Sequence, residues 1–167
     1  MCDSQRRLWP QAAPLVEPLL DALLEAVSTL DPAEPVPVHG DLGTRQFLWT
    51  GQRLLLLDLD MFGYTDPAYD VGHFLAQLER LVLVDPTVRA HAPEWLAAFG
   101  DAYLAEMPHV SPRNTWFYRA LTLVRKIYTI CRRERLEWPR LVPQLAEHAW
   151  AALQHVASPA LTHSCEA

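Results

Sequence analysis

Lysine is nearly absent from this 167-residue chain: of 14 basic residues only Lys126 is a lysine, and the rest are arginines. Any chemistry that needs a lysine therefore has one candidate. Glycine is scarce as well, with six in all and none before Gly40, so no glycine-rich phosphate loop lies in the first 39 positions. The three cysteines, Cys2, Cys131 and Cys165, are far apart and lack metal-ligand spacing. They read as free thiols in a reducing cytoplasm. No apolar run reaches 18 residues, which argues against a spanning helix and a membrane partner. The opening "MCDSQRRLWPQAAP" has no apolar h-region or small-residue cleavage site, so no secretory signal is expected. A net charge of -6 argues against a broad basic surface for nucleic acid.

What is present suits one packed domain. Half of the residues are hydrophobic and 20% are charged. Val16, Leu20, Leu23, Val27 and Leu30 alternate spacings of four and three, predicting a helix over Leu15–Leu30. "DPAEPVP" (31–37) ends it, because three prolines in seven residues forbid its continuation. "QFLWT" and "RLLLLDLD", parted by Gly51-Gln52, read as a hairpin. Asp66-Pro67 then opens a helix to about Val84, with Val71, Phe74, Leu75, Leu78 and Leu81 inward. "DPTV" (85–88) signals another helix, broken near Pro93 or Gly100. "SPRNTW" (111–116) starts a long one through "YRALTLVRKIYTICRRERL", and a last runs from Trp138 to Val156, before a frayed tail. The fold class is α+β and mostly helical.

The chemistry sits between Pro35 and Phe74. Asp41, in "HGDL", is a loop carboxylate that could act as a base or orient a hydroxyl; alone it reads equally as a turn-capping residue. Asp58 and Asp60 end an apolar run, although aspartate is disfavoured in strands. At i, i+2 on a strand end they share a face and need a cation or basic group between them. Hard oxygen ligands of this kind suit Mg²⁺ with substrate phosphates, and solvated acids at a hairpin end are the alternative.

Together, "HGDLGTRQFLW" and "LLLLDLDMFGYTDPAYDVGHFLAQL" resemble the aminoglycoside phosphotransferase and choline-kinase-like family, whose members read like "HGDLHPGNVL…LIDWDDAGYGDPAYDLA". The likeness is densest over residues 38–78. It implies a protein-kinase-like C-terminal lobe: a leading helix and proline turn (1–37), a catalytic loop and hairpin (38–65), a helical subdomain (66–157) and a tail (158–167). It implies ATP-dependent transfer of a γ-phosphoryl group to a small-molecule hydroxyl, with Mg²⁺ and ATP as cofactors. Asp41 matches the catalytic aspartate and His39 the histidine supporting the loop. Asp58 matches the metal aspartate, Asp60 a second acid, and Asp70 the helix residue that anchors the loop. Gln46 stands where the family has a metal-binding Asn, and its extra methylene moves the amide oxygen by more than ~1 Å.

That family builds an upstream β-rich lobe with a phosphate-covering loop and a strand lysine. Only 38 residues precede His39, so the chain is expected to be the C-terminal lobe without its nucleotide lobe. It would then be a truncated product, a half completed by a separate chain or a second copy, or a non-catalytic binding module. A lobe-facing apolar patch is expected near Phe47, Trp49 and Phe62. The acceptor surface is expected at Asp41, acids of the helical region, Trp116 and Tyr118. Lys126 reads as a solvated helix charge and His73 as a satisfied helix histidine. A metal-dependent hydrolase built on the three aspartates is a weaker alternative, because no other histidine shows ligand spacing.

Overall fold

The computed structural model describes residues 12–133 and 138–157. Among the described residues five helices carry most of the mass: α1 Ala13–Val27, α2 Ala68–Val84, α3 Ala92–Glu106, α4 Pro112–Arg132 and α5 Trp138–Ala157. Between α1 and α2 lie four three-residue strands, β1 Val36–Val38, β2 Phe47–Trp49, β3 Leu54–Leu56 and β4 Gly63–Thr65. The architecture is mostly helical α+β. No helix among the described residues is long and apolar enough to cross a membrane.

The core is a stack of α1, α4 and α5, with α2 alongside. Leu19, Leu123, Ile127, Val142 and Leu145 are fully enclosed within it. The helix over the first apolar stripe is displaced from the expected Leu15–Leu30. Its buried face is Ala12, Val16, Leu19 and Leu23, and Val27 is exposed. Real spacings of four, three and four rotate the stripe, and the last turn ends at Ser28, whose hydroxyl donates to the Glu25 carbonyl. Gly100 and Pro93 do not break α3. Proline is tolerated in a first helical turn because the N–H it removes would be unpaired there anyway. The tail and residues 134–137 lie outside the described residues.

Two sheets form where one hairpin was expected. β2 and β3 pair antiparallel, with Phe47 opposite Leu56 and Trp49 opposite Leu54. β1 and β4 pair in the same sense, Val36 opposite Thr65 and Val38 opposite Gly63. The second ladder escaped notice because Pro37 demotes any strand signal around it. Its effect is to bring the start of the loop at His39 against the chain that follows Met61.

Asn114 fixes how the helices meet. It is buried at the start of α4, where the Ser111 side chain accepts from the Asn114 backbone N–H. Its Nδ2 donates to the Asp31 carbonyl (2.9 Å) and to Asp66 Oδ2 (2.7 Å), and its Oδ1 accepts from the Asp31 N–H (2.9 Å). One side chain thus ties the turn after α1 to the start of α2. Removing it leaves partly buried polar groups without partners, at about 1–3 kcal/mol for each group that water cannot reach. Asn114→Ala should lower the unfolding free energy by about 2–3 kcal/mol in urea titrations; a loss below about 0.5 kcal/mol would mean that water replaces the amide.

Candidate functional site

The loop from His39 to Gly43 is shaped by Gly40. Its φ is +83°, and a Cβ there would lie 2.1 Å from the Met61 carbonyl oxygen. Only glycine meets both demands. The loop can then present two backbone N–H groups to Asp70, in the first turn of α2. Asp70 Oδ2 accepts from His39 N (2.6 Å) and Oδ1 from Gly40 N (3.0 Å). The carboxylate is 9% exposed, so both bonds are shielded from water and are charge-assisted. The His39 ring is buried as well, and its Nε2 lies 2.9 Å from the Leu57 carbonyl, joining the loop to the end of the hairpin.

Asp41 follows, with its side chain 49% exposed. Its Oδ1 lies 2.9 Å from His73 Nε2, and His73 is 1% exposed. His73 Nδ1 is 3.1 Å from the Thr122 hydroxyl on α4. The carboxylate makes Nε2 the protonated nitrogen, leaving Nδ1 to accept from Thr122. The Gln77 amide also lies 3.1 Å from Nε2, and its oxygen is the compatible end there. Burial lowers the His73 pKa, with Lys126 acting in the same direction and the Asp41 charge opposing both. At neutral pH the imidazole is therefore uncharged and holds the Asp41 carboxylate in one orientation. Oδ2 has no protein partner among the described residues.

The structure puts Asp58 and Asp60 elsewhere than on a strand end. β3 stops at Leu56, Asp58 has φ 64° and ψ 63°, and Asp60 lies in a turn of 3₁₀ helix over Leu59–Met61. The alternation that would put both acids on one strand face does not apply. Left-handed backbone is tolerated by aspartate better than by most residues, which accounts for the residue type at 58. Both acids are exposed. Gln46 is brought near Asp58 by the bond from the Leu57 N–H to the Gln46 carbonyl (2.8 Å). Its Oε1 folds back over Gly43.

Thus His39, Asp41 and Asp70 form one hydrogen-bonded cluster, while Asp58, Asp60 and Gln46 sit along the hairpin that His39 braces. Sequence reasoning missed Gln77 and Thr122; it took His73 as a satisfied helix histidine, which it is, without seeing that its partner is Asp41. Asp70, His73 and Gln77 fall at i, i+3 and i+7 on α2, a spacing that marks one helix face. Lys126 is half-buried rather than solvated. Burial lowers its pKa, the Asp41 charge opposes that, and Arg80, Arg125 and Arg133 add to it. Tyr118 packs edge-on to Tyr69, which stacks on His73, whereas Trp116 belongs to a separate cluster with Arg119 and His155. Of the apolar surface expected near the hairpin, Trp49 is 63% exposed and Phe62 half-exposed, with Leu54 beside them at 61%, whereas Phe47 is half-buried, edge-on to Phe74.

A pinned loop carboxylate with one free oxygen can orient a hydroxyl group brought to it. The model of the phosphotransferase enzyme family (APH) matches residues 2–113, more than half of the chain, and the chain belongs to that family. No curated protein matches it.

The lowered His73 value sets a pH dependence. Above 6.5 the residue is neutral in both folded and unfolded chains, and its contribution to stability is complete. As the pH falls through 6.5 towards the lowered folded value, only the unfolded chain takes up the proton, and stability is lost. Between about pH 7.5 and 5, urea midpoints should therefore fall more steeply in the native protein than in His73→Gln; equal slopes would show that His73 titrates alike in both states.

Proposed function

We propose that this chain carries the catalytic lobe of an ATP-dependent O-phosphotransferase, working in a reducing cytoplasm on a hydroxyl of a small molecule. Residues 1–37 would be its leading segment, 38–65 its catalytic loop and hairpin, 66–157 its helical subdomain and 158–167 its tail. The observation that supports this best is the double clamp of Asp70 on the loop that presents Asp41. Two shielded bonds fix the loop backbone, and His73 fixes the carboxylate. One oxygen is thereby left to receive an acceptor hydroxyl in a set direction. His39 supports the loop through its bond to the Leu57 carbonyl.

Asp58, Asp60 and Gln46 offer carboxylate and amide oxygens, the donors Mg²⁺ prefers. Among the described residues no three acidic, histidine or cysteine side chains converge as a metal cage. This donor set fits a cation held by one or two carboxylates together with phosphates and water. Bound Mg²⁺-ATP would supply the phosphoryl group and offset charge on its oxygens. Lys126 supplies the one lysine charge near Asp41. An upstream nucleotide lobe would complete the cleft, and the exposed apolar hairpin is a surface of the right character for it. The same surface supports a second reading, a binding module that has kept the loop without the reaction.

Calorimetric titration with Mg²⁺-ATP separates the two. Saturable binding that disappears in Asp58→Asn is expected for the enzyme; no heat at millimolar nucleotide would favour the binding module. With a hydroxyl acceptor supplied, Asp41→Asn should lower ADP release by about 10²–10⁴-fold, the usual worth of a positioned acid–base group. Unchanged release would remove Asp41 from the reaction.

A further inference from the structure

A second polar centre lies between α2, α4 and α5. The Glu79 carboxylate, 8% exposed, accepts from Arg119 Nη2 through its Oε1, and His148 Nδ1 approaches the same oxygen at 3.4 Å. The Arg119 guanidinium also lies over the Trp116 ring, 4.5 Å from its centroid. Burial would raise the Glu79 pKa, but hydrogen bonds from His148 and Arg119 outweigh it and keep the group ionised. A buried ion pair of this kind costs several kcal/mol of desolvation unless its remaining hydrogen bonds are made.

They are not made among the described residues. Three buried side-chain polar atoms lack a partner among the described residues: Glu79 Oε2, Arg119 Nε and Gln144 Oε1. All three residues line one open cavity of about 390 Å³, and Glu147 adds a second carboxylate to it. Buried orphans are rare in native folds, and three on residues that line one cavity leave bonds there for a bound molecule or water to make. The volume is that of a small-molecule site. None of the residues of the Asp41 cluster lines it.

The unmet groups define what would fill them. Two are sp² oxygen acceptors, one of them anionic, and the third is an N–H donor. A planar cation with parallel N–H groups can meet both acceptors at once, whereas a single ammonium is a point donor. An oxygen beside that cation would meet Arg119 Nε. We infer that this cavity binds a guanidinium or amidinium group carrying a nearby carbonyl oxygen, in a free molecule or in an arginine side chain of a peptide.

The test is calorimetry on the whole chain with Nα-acetyl-arginine methylamide, followed by agmatine, which has the guanidinium and no carbonyl. Saturable one-to-one binding is expected, at least about tenfold weaker for Nα-acetyl-lysine methylamide. Weaker binding of agmatine than of the arginine amide would assign the carbonyl a part and favour the peptide source; equal binding would overturn the carbonyl half of the assignment and favour a free guanidino compound. Gln144→Met removes one orphan acceptor and no hydrogen bond found among the described residues. It should weaken binding about tenfold while the melting temperature stays equal or rises. A lower melting temperature would make Gln144 a structural residue and overturn the assignment, as would no saturable heat to roughly 10 mM ligand. Ala151→Phe, which fills the cavity from exposed positions on α5, should abolish binding; retained binding would place the ligand elsewhere.

Discussion

Two hydrogen bonds, from the backbone of His39 and Gly40 to the Asp70 carboxylate, hold the loop that everything else at this site requires. The loop crosses the chain at Met61 too closely for any side chain at residue 40. A backbone in that conformation must be held from outside, and a carboxylate buried at a helix start does this well. The helix N-terminus favours its negative charge, and its two oxygens match two adjacent donors. Because Asp70 lies on α2, the position of the loop is the position of the helix. Asn114 in turn fixes that helix against α4. The placement of Asp41 thus descends, through a few named bonds, from the packing of the helical core.

The same helix carries one member of each of two histidine–carboxylate pairs, His73 and Glu79, with opposite electrostatics. Around His73, burial and neighbouring cations win, and the imidazole stays neutral beside Asp41. Around His148, the hydrogen bond to Glu79 comes first and raises its pKa, although burial opposes it. The distinction follows from the carboxylate in each case. Asp41 is half-exposed and largely hydrated, so it offers His73 little. Glu79 is shielded and needs cations, so it draws charge onto both Arg119 and His148.

Much of this was legible in the chain. The helices declared themselves by apolar spacing and by the Asp66-Pro67 and Ser111-Pro112 starts, although Asp85-Pro86 opens only turns and α3 begins at Ala92, and the loop motif pointed to Asp41, His39 and Asp70. The family follows from the same motif. What escaped notice was set by tertiary packing. Pro37 hid β1, whose pairing with β4 is purely long-range. The left-handed turn at Asp58 cancelled the strand alternation assumed for Asp58 and Asp60. His73 meets Asp41 only because the loop folds across α2, and a 32-residue separation is invisible to a window of helical periodicity. Lys126 looked solvated because a single charge on a helix says nothing of what packs above it.

The hairpin has a further consequence, for handling rather than chemistry. Leu54–Leu57 is a run of four exposed leucines in a two-stranded ribbon, each of whose strands keeps one open edge. Such edges invite further strands, and apolar uncharged segments are those that stack into aggregates. The run is bracketed by Arg53 and Asp58, and these opposite charges act as gatekeepers that keep the sticky segment short. Asp58 therefore protects the solubility of the protein whatever else it binds. A neutral residue at 58 keeps the turn and yet removes one gatekeeper, so a variant there should be judged first by whether it remains dispersed.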